Sequence, residues 1–364
     1  MDLSESLGNR SETAQLDVVR PRHDSVAASS PANEGDSAAK MKRVLASLYA
    51  PIEPSMRAVE SRLREEMQSP FEDVGPLLRH GVNLGGKRLR PAIHLLMAEA
   101  LGGAKGSNVV IGVVLEMVHT ATLIHDDVLD EATTRRHVAT VNAKWNSHTS
   151  ILLGDYLFSQ SFRLAASLEN TRTCAWVGEA ARRVCEGELR QVLLRDEIDL
   201  DEATYYEIIR GKTAELCRVA CSLAAAESGA DDNVVDQLAD FGDHLGVAFQ
   251  IADDYLDLWG DDASVGKTLG TDLEQGKITL PVIRLLETSD DVQRANLIEV
   301  LRGDPQSRGR IVGQMLRQSD ARQYTMNAAI AFKDKALEAL QVLPDSDAKA
   351  CLQSIAEFSI RRSF

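Results

Sequence analysis

From about residue 41 onward, apolar residues return every three or four positions, as in Val109 to Leu129 and Val234 to Leu258. That spacing collects them on one face of a 3.6-residue helix and predicts long amphipathic helices. No proline interrupts the chain between Pro91 and Pro281, and Ala, Leu, Glu and Arg recur throughout, which favours unbroken helices over a sheet. The fold class read from this pattern is all-α. Breaks are predicted at Gly85-Gly86, Gly102-Gly103, the polar stretch from Thr133 to Ser147, Gly229-Ala230-Asp231, and Gly260 to Gly276. None has the composition of a domain linker, so residues 41–364 read as one domain. Residues 1–40 are rich in Ser, Ala, Asn, Asp and Glu without apolar periodicity, and are predicted to form a disordered tail.

Composition narrows the class. The chain has 364 residues, 44% hydrophobic, enough for a substantial core. Forty Lys plus Arg against 55 Asp plus Glu give a net charge of −15, which argues against nucleic acid or anionic membrane surfaces as partners. No uninterrupted apolar run approaches the ~18 residues of a spanning helix, so no integral membrane segment is expected. The five cysteines, Cys174, Cys185, Cys217, Cys221 and Cys351, lack CxxC spacing and point to a reducing compartment. The tail carries Asp2, Glu5, Glu12, Asp17, Asp24, Glu34 and Asp36, unlike an acid-poor mitochondrial leader. The expected location is the cytoplasm.

The chemistry begins at Asp126-Asp127-Val128-Leu129-Asp130, where a long apolar helix ends. Asp126 and Asp130 are four residues apart, share a helix face and repel unless a cation lies between them. Alone, such a cluster reads as a solvated helix end. A second copy, Asp253-Asp254-Tyr255-Leu256-Asp257, follows Phe249-Gln250-Ile251-Ala252 at the end of another long apolar helix. Two acidic exits facing each other across a helical bundle would hold Mg²⁺ around a diphosphate, since Mg²⁺ takes one or two carboxylates and fills its shell with water and phosphate oxygens. The cations of this acidic chain cluster where such an anion would sit: Gly85-Gly86-Lys87-Arg88-Leu89-Arg90-Pro91, with Pro91 read as opening a helix; Arg135-Arg136; Lys212-Thr213; Lys267; and Lys277. Gly211-Lys212-Thr213 is not a Walker loop, because Tyr206 occupies the upstream glycine position.

Taken in order, Gly86-Lys87-Arg88-Leu89-Arg90-Pro91, the first DDxxD with Arg135-Arg136, Gly211-Lys212-Thr213, the Phe249-Gln250 lead into the second DDxxD, Gly266-Lys267 and Gly276-Lys277-Ile278-Thr279-Leu280-Pro281 resemble the signature of the trans-isoprenyl diphosphate synthase family. The resemblance spans roughly residues 40–364. It implies an isoprenoid synthase helical bundle around a central cavity, normally a homodimer. It also implies Mg²⁺, by family three ions, with Asp126, Asp130 and Asp253 as principal ligands and Asp127, Asp254 and Asp257 nearby. Arg135, Lys212, Gln250 and Lys267 would hold an allylic diphosphate, by family farnesyl or geranylgeranyl. Lys87, Arg90, His119 and Arg136 would hold isopentenyl diphosphate, with Lys277 a further phosphate contact and Thr213 and Gln250 as dipoles stabilising a transient carbocation.

Small residues Ala121 and Thr122, just before the first acidic cluster, stand where short-chain members carry large aromatics, which implies a long product. Phe158 and Phe162 are candidates for the floor of the tail's path. The chain departs from the family at His137, Ala139 and Asn146-Ser147, all loop positions. A short-chain synthase, a class I terpene cyclase and a non-catalytic subunit of a heteromeric synthase are the other readings. The intact second DDxxD and Lys87 to Arg90 speak against the last two.

Overall fold

The computed structural model describes residues 43–136, 138–260 and 270–361. The periodic segments form helices: α1 (Glu53–Glu66), α2 (Val74–Asn83), α3 (Leu89–Ala100), α4 (Gly106–Leu129), α5 (Ser147–Ala166), α6 (Arg172–Leu193), α7 (Glu202–Ile209), α8 (Glu215–Glu227) and α9 (Asp232–Trp259). Beyond them lie α10 (Leu280–Thr288), α11 (Asp291–Arg302), α12 (Pro305–Leu316), α13 (Ala321–Ala339) and α14 (Asp347–Arg361). Side-chain caps open several of them. Asn146 accepts from the Thr149 amide at 2.8 Å, Asp201 from Thr204 at 2.7 Å and Asp231 from Val234 at 2.9 Å, each supplying an acceptor to a first-turn N–H that has no partner in its own helix. Gly102, Gly103 and Gly229 follow helix ends with φ of 116°, 116° and 84°, a backbone conformation that glycine adopts without strain. The predicted breaks there are borne out.

The polar stretch after α4 holds more than a loop. Thr134–Arg135 pairs antiparallel with Val138–Ala139, and a helical turn, Val141–Lys144, follows. Pro91 does not open α3, which begins two residues earlier at Leu89. Arg88, at φ 52°, makes the entry instead. By length and composition α4 holds an 18-residue window apolar enough to cross a bilayer, once a few polar residues are tolerated. Two thirds of that window is buried against neighbouring helices, as in the central helix of a bundle.

The core has two parts. The first joins α3, α4, α5 and α8 through residues such as Ile93, Leu96, Leu115, Leu157 and Leu223. The second joins α7, α10, α12 and α13 through Tyr205, Ile209, Leu280, Val312 and Phe332. α9 belongs to both, giving Leu238, Phe241 and Leu245 to the first and Val247, Ile251 and Ala252 to the second. Phe241 is fully buried, and its truncation to Ala would cost about 3–5 kcal/mol. Both acidic motifs therefore sit at the ends of helices anchored along their length.

Candidate active site

Between α7 and α8 the helix widens into a π turn, Arg210–Ala214, which carries Lys212 and Thr213. It is gripped from two sides by glycines. A Cβ on Gly187 would lie 2.5 Å from the Lys212 nitrogen, and one on Gly246 would lie 2.4 Å from the Ala214 Cα, so α6 and α9 both pass too close for any side chain. Lys212 Nζ pairs with Glu188 of α6 at 2.7 Å. Burial works against its charge, but Asp126 and Glu188 outweigh it and raise its pKa.

The first acidic motif surrounds this lysine. Burial raises the Asp126 carboxyl above the usual range; Lys212 draws it down and Asp130 pushes it up again. Burial and repulsion from Asp126 likewise raise Glu188. Asp130 is paired with Lys277 Nζ at 3.2 Å and Arg195 at 3.3 Å. Asp127, about 100° round the helix from Asp126, accepts from Arg135 Nε at 2.9 Å and is buried, with its other oxygen lacking a hydrogen bond. Asp126, Asp130 and Glu188 are thus half-buried acids held among lysines and arginines. Among the described residues no group of three or more acidic, histidine or cysteine side chains is drawn together closely enough to hold a metal ion by itself. A divalent cation here would take one or two carboxylates and fill its shell with water and phosphate oxygens.

Cations gather two turns earlier on the same face of α4, around His119. His119 is enclosed, and burial, then Arg90, Arg136 and Arg135, hold its pKa well below the usual value, so it is a neutral imidazole facing guanidinium groups. Arg136 is itself lowered by burial and by Arg135. Its Nη1 donates to the Leu84 carbonyl at 3.2 Å, and its φ is 51°. Arg90 Nε is buried without a hydrogen-bond partner. Lys87 is exposed, its ammonium 5.7 Å from the Phe358 ring centroid. Arg88 is used differently, pairing with Glu60 and buried Glu116, each at 2.8 Å, and donating to the Val82 carbonyl. Glu116 and Asp127 offset only part of this charge, and the excess of guanidinium groups suits an anion.

The second motif divides its aspartates differently. Asp253 is exposed, with no ion pair among the described residues. Asp254 is turned inward: it accepts from Tyr205 Oη at 2.6 Å and Gln250 Nε2 at 2.8 Å. Burial, then Asp272, holds its carboxyl well above the usual range. Gln250 in turn accepts from Thr213 at 2.7 Å. Asp257 accepts from the Thr271 hydroxyl at 2.8 Å and from the Thr271 and Asp272 amides, fastening the short helical turn that begins at Thr271 to the end of α9. Lys267 lies outside the described residues.

Of the two positions expected to govern tail length, Ala121 is completely enclosed by the first core, whereas Thr122 is partly exposed and bonds the His119 carbonyl at 2.8 Å. The Phe158 ring lies 6.0 Å from the His125 ring, and Phe162 reaches Gly178 on α6.

Sequence reading missed Glu188, Arg195, Tyr205 and Glu116. In the sequence Glu188 sits among alternating Arg and Glu residues that look like an ordinary solvated helix face, and Tyr205 looks like a core aromatic.

Half-buried acids beside a clamped lysine, close to a cluster of guanidinium groups, make a site suited to a diphosphate. The polyprenyl synthetase family matches residues 73–318, and the chain belongs to it. It is 34% identical to the octaprenyl diphosphate synthase of Haemophilus influenzae over 313 residues, 86% of this chain and 95% of that protein. The decaprenyl diphosphate synthase structure from Rhodobacter capsulatus superposes with a TM-score of 0.82 at 34% identity, covering 87% of this chain and 98% of that one. A polyprenyl synthase from Caulobacter crescentus, complexed with calcium and isoprenyl diphosphate, gives 0.81 at 32%, covering 87% and 97%. The all-α bundle and the trans-polyprenyl diphosphate synthase class expected from the sequence are thus borne out.

Proposed function

We propose that the protein condenses an allylic prenyl diphosphate, farnesyl or geranylgeranyl, repeatedly with isopentenyl diphosphate to give a long all-trans product, using Mg²⁺. The observation that carries this is the adjacency of two unlike charge groups along one face of α4, two turns apart: acids with Lys212 and Lys277 around Asp126, and Arg90 and Arg136 around neutral His119. Asp126, Asp130 and Asp253 would hold Mg²⁺, which stabilises the departing diphosphate. Lys212, Arg135 and Lys267 bind that group as it leaves, while Thr213 and Gln250 point dipoles at the allylic carbon. Arg90, Arg136 and Lys87 orient isopentenyl diphosphate so that its double bond meets the cation. A neutral His119 donates one N–H without adding charge. The proton lost goes to the released diphosphate, so no protein nucleophile or separate base is required.

Ile151 and Leu152, 45% and 68% exposed on α5, support a homodimer, because neighbouring apolar residues left in water favour association. Five free thiols support a reducing, cytoplasmic setting.

Purified protein with Mg²⁺, farnesyl diphosphate and labelled isopentenyl diphosphate tests the reading by chromatography of dephosphorylated products. Seven to ten isoprene units are expected, about the range that family resemblance implies; products stopping at fifteen or twenty carbons would make it a short-chain synthase. Hydrocarbons would indicate a cyclase, and no turnover a subunit. Thr122→Phe should shorten the product with near-normal initial rate. Ala121→Phe, in a closed core, should also cost about 1–3 kcal/mol of stability through overpacking.

A further inference from the structure

Four side chains form a continuous hydrogen-bonded line from the π turn into the second core: Thr213 to Gln250, Gln250 to Asp254, and Tyr205 to Asp254. Tyr205 and Asp254 are both buried. Each bond in the line fixes the direction of the next. Asp254 Oδ1 accepts from the Gln250 amide nitrogen, so the Gln250 carbonyl oxygen must face Thr213. Thr213 spends its only proton on that oxygen. Thr213 Oγ1 and Gln250 Oε1 therefore keep uncommitted lone pairs, and both residues are partly exposed on the side of Lys212. A proton on Oδ2 of Asp254, shared with Tyr205, would leave Oδ1 an acceptor and the direction unchanged.

We infer that Asp254 and Tyr205 are positioning residues which lock the polarity of Gln250 and Thr213, so that oxygen lone pairs rather than N–H or O–H groups face the allylic carbon as it becomes positive. Asp254 thereby acts inside the protein, with both oxygens already engaged, rather than at a metal. This inference rests on the prenyltransfer reading. The physical content is preorganisation: dipoles aimed beforehand at developing charge stabilise it without rearranging during the reaction.

Two ligands separate this from simple structural support. One is an ammonium analogue of the allylic cation, bound with inorganic diphosphate and Mg²⁺. The other is the allylic thiolodiphosphate, which has the same shape and no positive carbon. In Asp254→Asn the introduced amide can donate to Gln250, allowing the glutamine to flip and turn N–H toward Thr213. Calorimetry should then show the ammonium analogue weakened by at least about tenfold, with thiolodiphosphate affinity and its Mg²⁺ requirement unchanged. Tyr205→Phe retains Oδ1 as acceptor and should lose only a few-fold, again for the ammonium analogue alone.

Equal weakening of both ligands would overturn the inference, as would a raised Mg²⁺ requirement matching that of Asp253→Asn, which would make Asp254 a ligand. Should Asp254→Asn not fold, Tyr205→Phe decides: an unchanged preference between the ligands overturns the proposal. A wild-type protein that binds neither ligand overturns the prenyltransfer reading and this inference together.

Discussion

The two acidic motifs are spelled almost alike and are used differently. In the first, Asp126 lies beside Lys212 and Asp130 is neutralised by Lys277 and Arg195, so its outer aspartates are held among cations. In the second, Asp253 is exposed, and Asp257 accepts from Thr271 and Asp272, holding backbone. The middle aspartates agree with each other: Asp127 and Asp254 are both buried, and each holds a neighbouring side chain, Arg135 in one case and Gln250 in the other. Helix geometry explains the agreement, since the second acid is rotated about 100° from the first and cannot share its target. What surrounds the helix end explains the difference. A repeated motif therefore locates charge, while the neighbours assign its work.

The strongest test asks whether the leading aspartates are equivalent. Asp126→Ala and Asp253→Ala should each lower turnover by orders of magnitude while leaving the metal-free melting temperature close to wild type, because each removes a repelled or exposed acid. A large loss for Asp126→Ala with little for Asp253→Ala would show that only the first motif serves the reaction. A smaller effect separates the two charge groups two turns apart along α4. Lys87→Ala and Arg90→Ala should raise the KM for isopentenyl diphosphate about tenfold more than that for the primer, and Lys212→Ala should do the reverse or lower kcat. Equal effects on both substrates would dissolve the division.

Stability tests come next. His94, buried in the first core, donates Nδ1–H to the Ala220 carbonyl and accepts from Asn108 at Nε2, and burial lowers its pKa to about 4. A depressed histidine pKa means the folded state resists protonation. Its contribution is fully present above the unfolded pKa of about 6.5 and is lost as pH falls from there toward 4. Denaturant melts at pH 7.5 and 5 should therefore differ by about 2 kcal/mol more in wild type than in His94→Gln, at about 1.36 kcal/mol per pH unit. If the gap is the same in both, acid loss originates elsewhere, the acidic motifs included. The third aspartates should give the smallest shift. Asp257→Ala should cost about 1 kcal/mol of stability by freeing the Thr271 and Asp272 amides, as loss of a helix cap does, whereas Asp130→Ala should leave stability nearly unchanged and act on activity. A larger stability loss for Asp130→Ala would reverse the contrast.

Much of this arrangement is legible in the chain because it is local. The three-to-four-residue apolar period marks α4 and α9, the glycines at 102, 103 and 229 mark their neighbours' ends, and DDxxD is visible by eye. The hairpin at 134–139 is not legible, since Arg136 occupies its positive-φ position where a glycine would have announced the turn. Long-range pairings are hidden for a different reason. Arg88 looks like one more phosphate ligand until Glu60 and Glu116, each 28 residues away, are brought to it. Likewise Asp254 reads as a metal ligand until Tyr205, 49 residues earlier, closes over its second oxygen. Periodicity reports which face of a helix is buried, but not which distant residue will meet it.

The π turn at Arg210–Ala214 has a consequence for how the chain can change by insertion and deletion. A π turn holds one residue more than the α-helix that would otherwise run through it. Removing Gly211 would close that bulge. α8 would then keep nearly its present register while Lys212 and Thr213 drew back into an ordinary helical surface. Elsewhere in these helices a one-residue deletion rotates everything downstream by about 100° and exposes the core. Among the described helices the reading frame can absorb the loss at this turn, and what disappears is the present placement of Lys212 and Thr213.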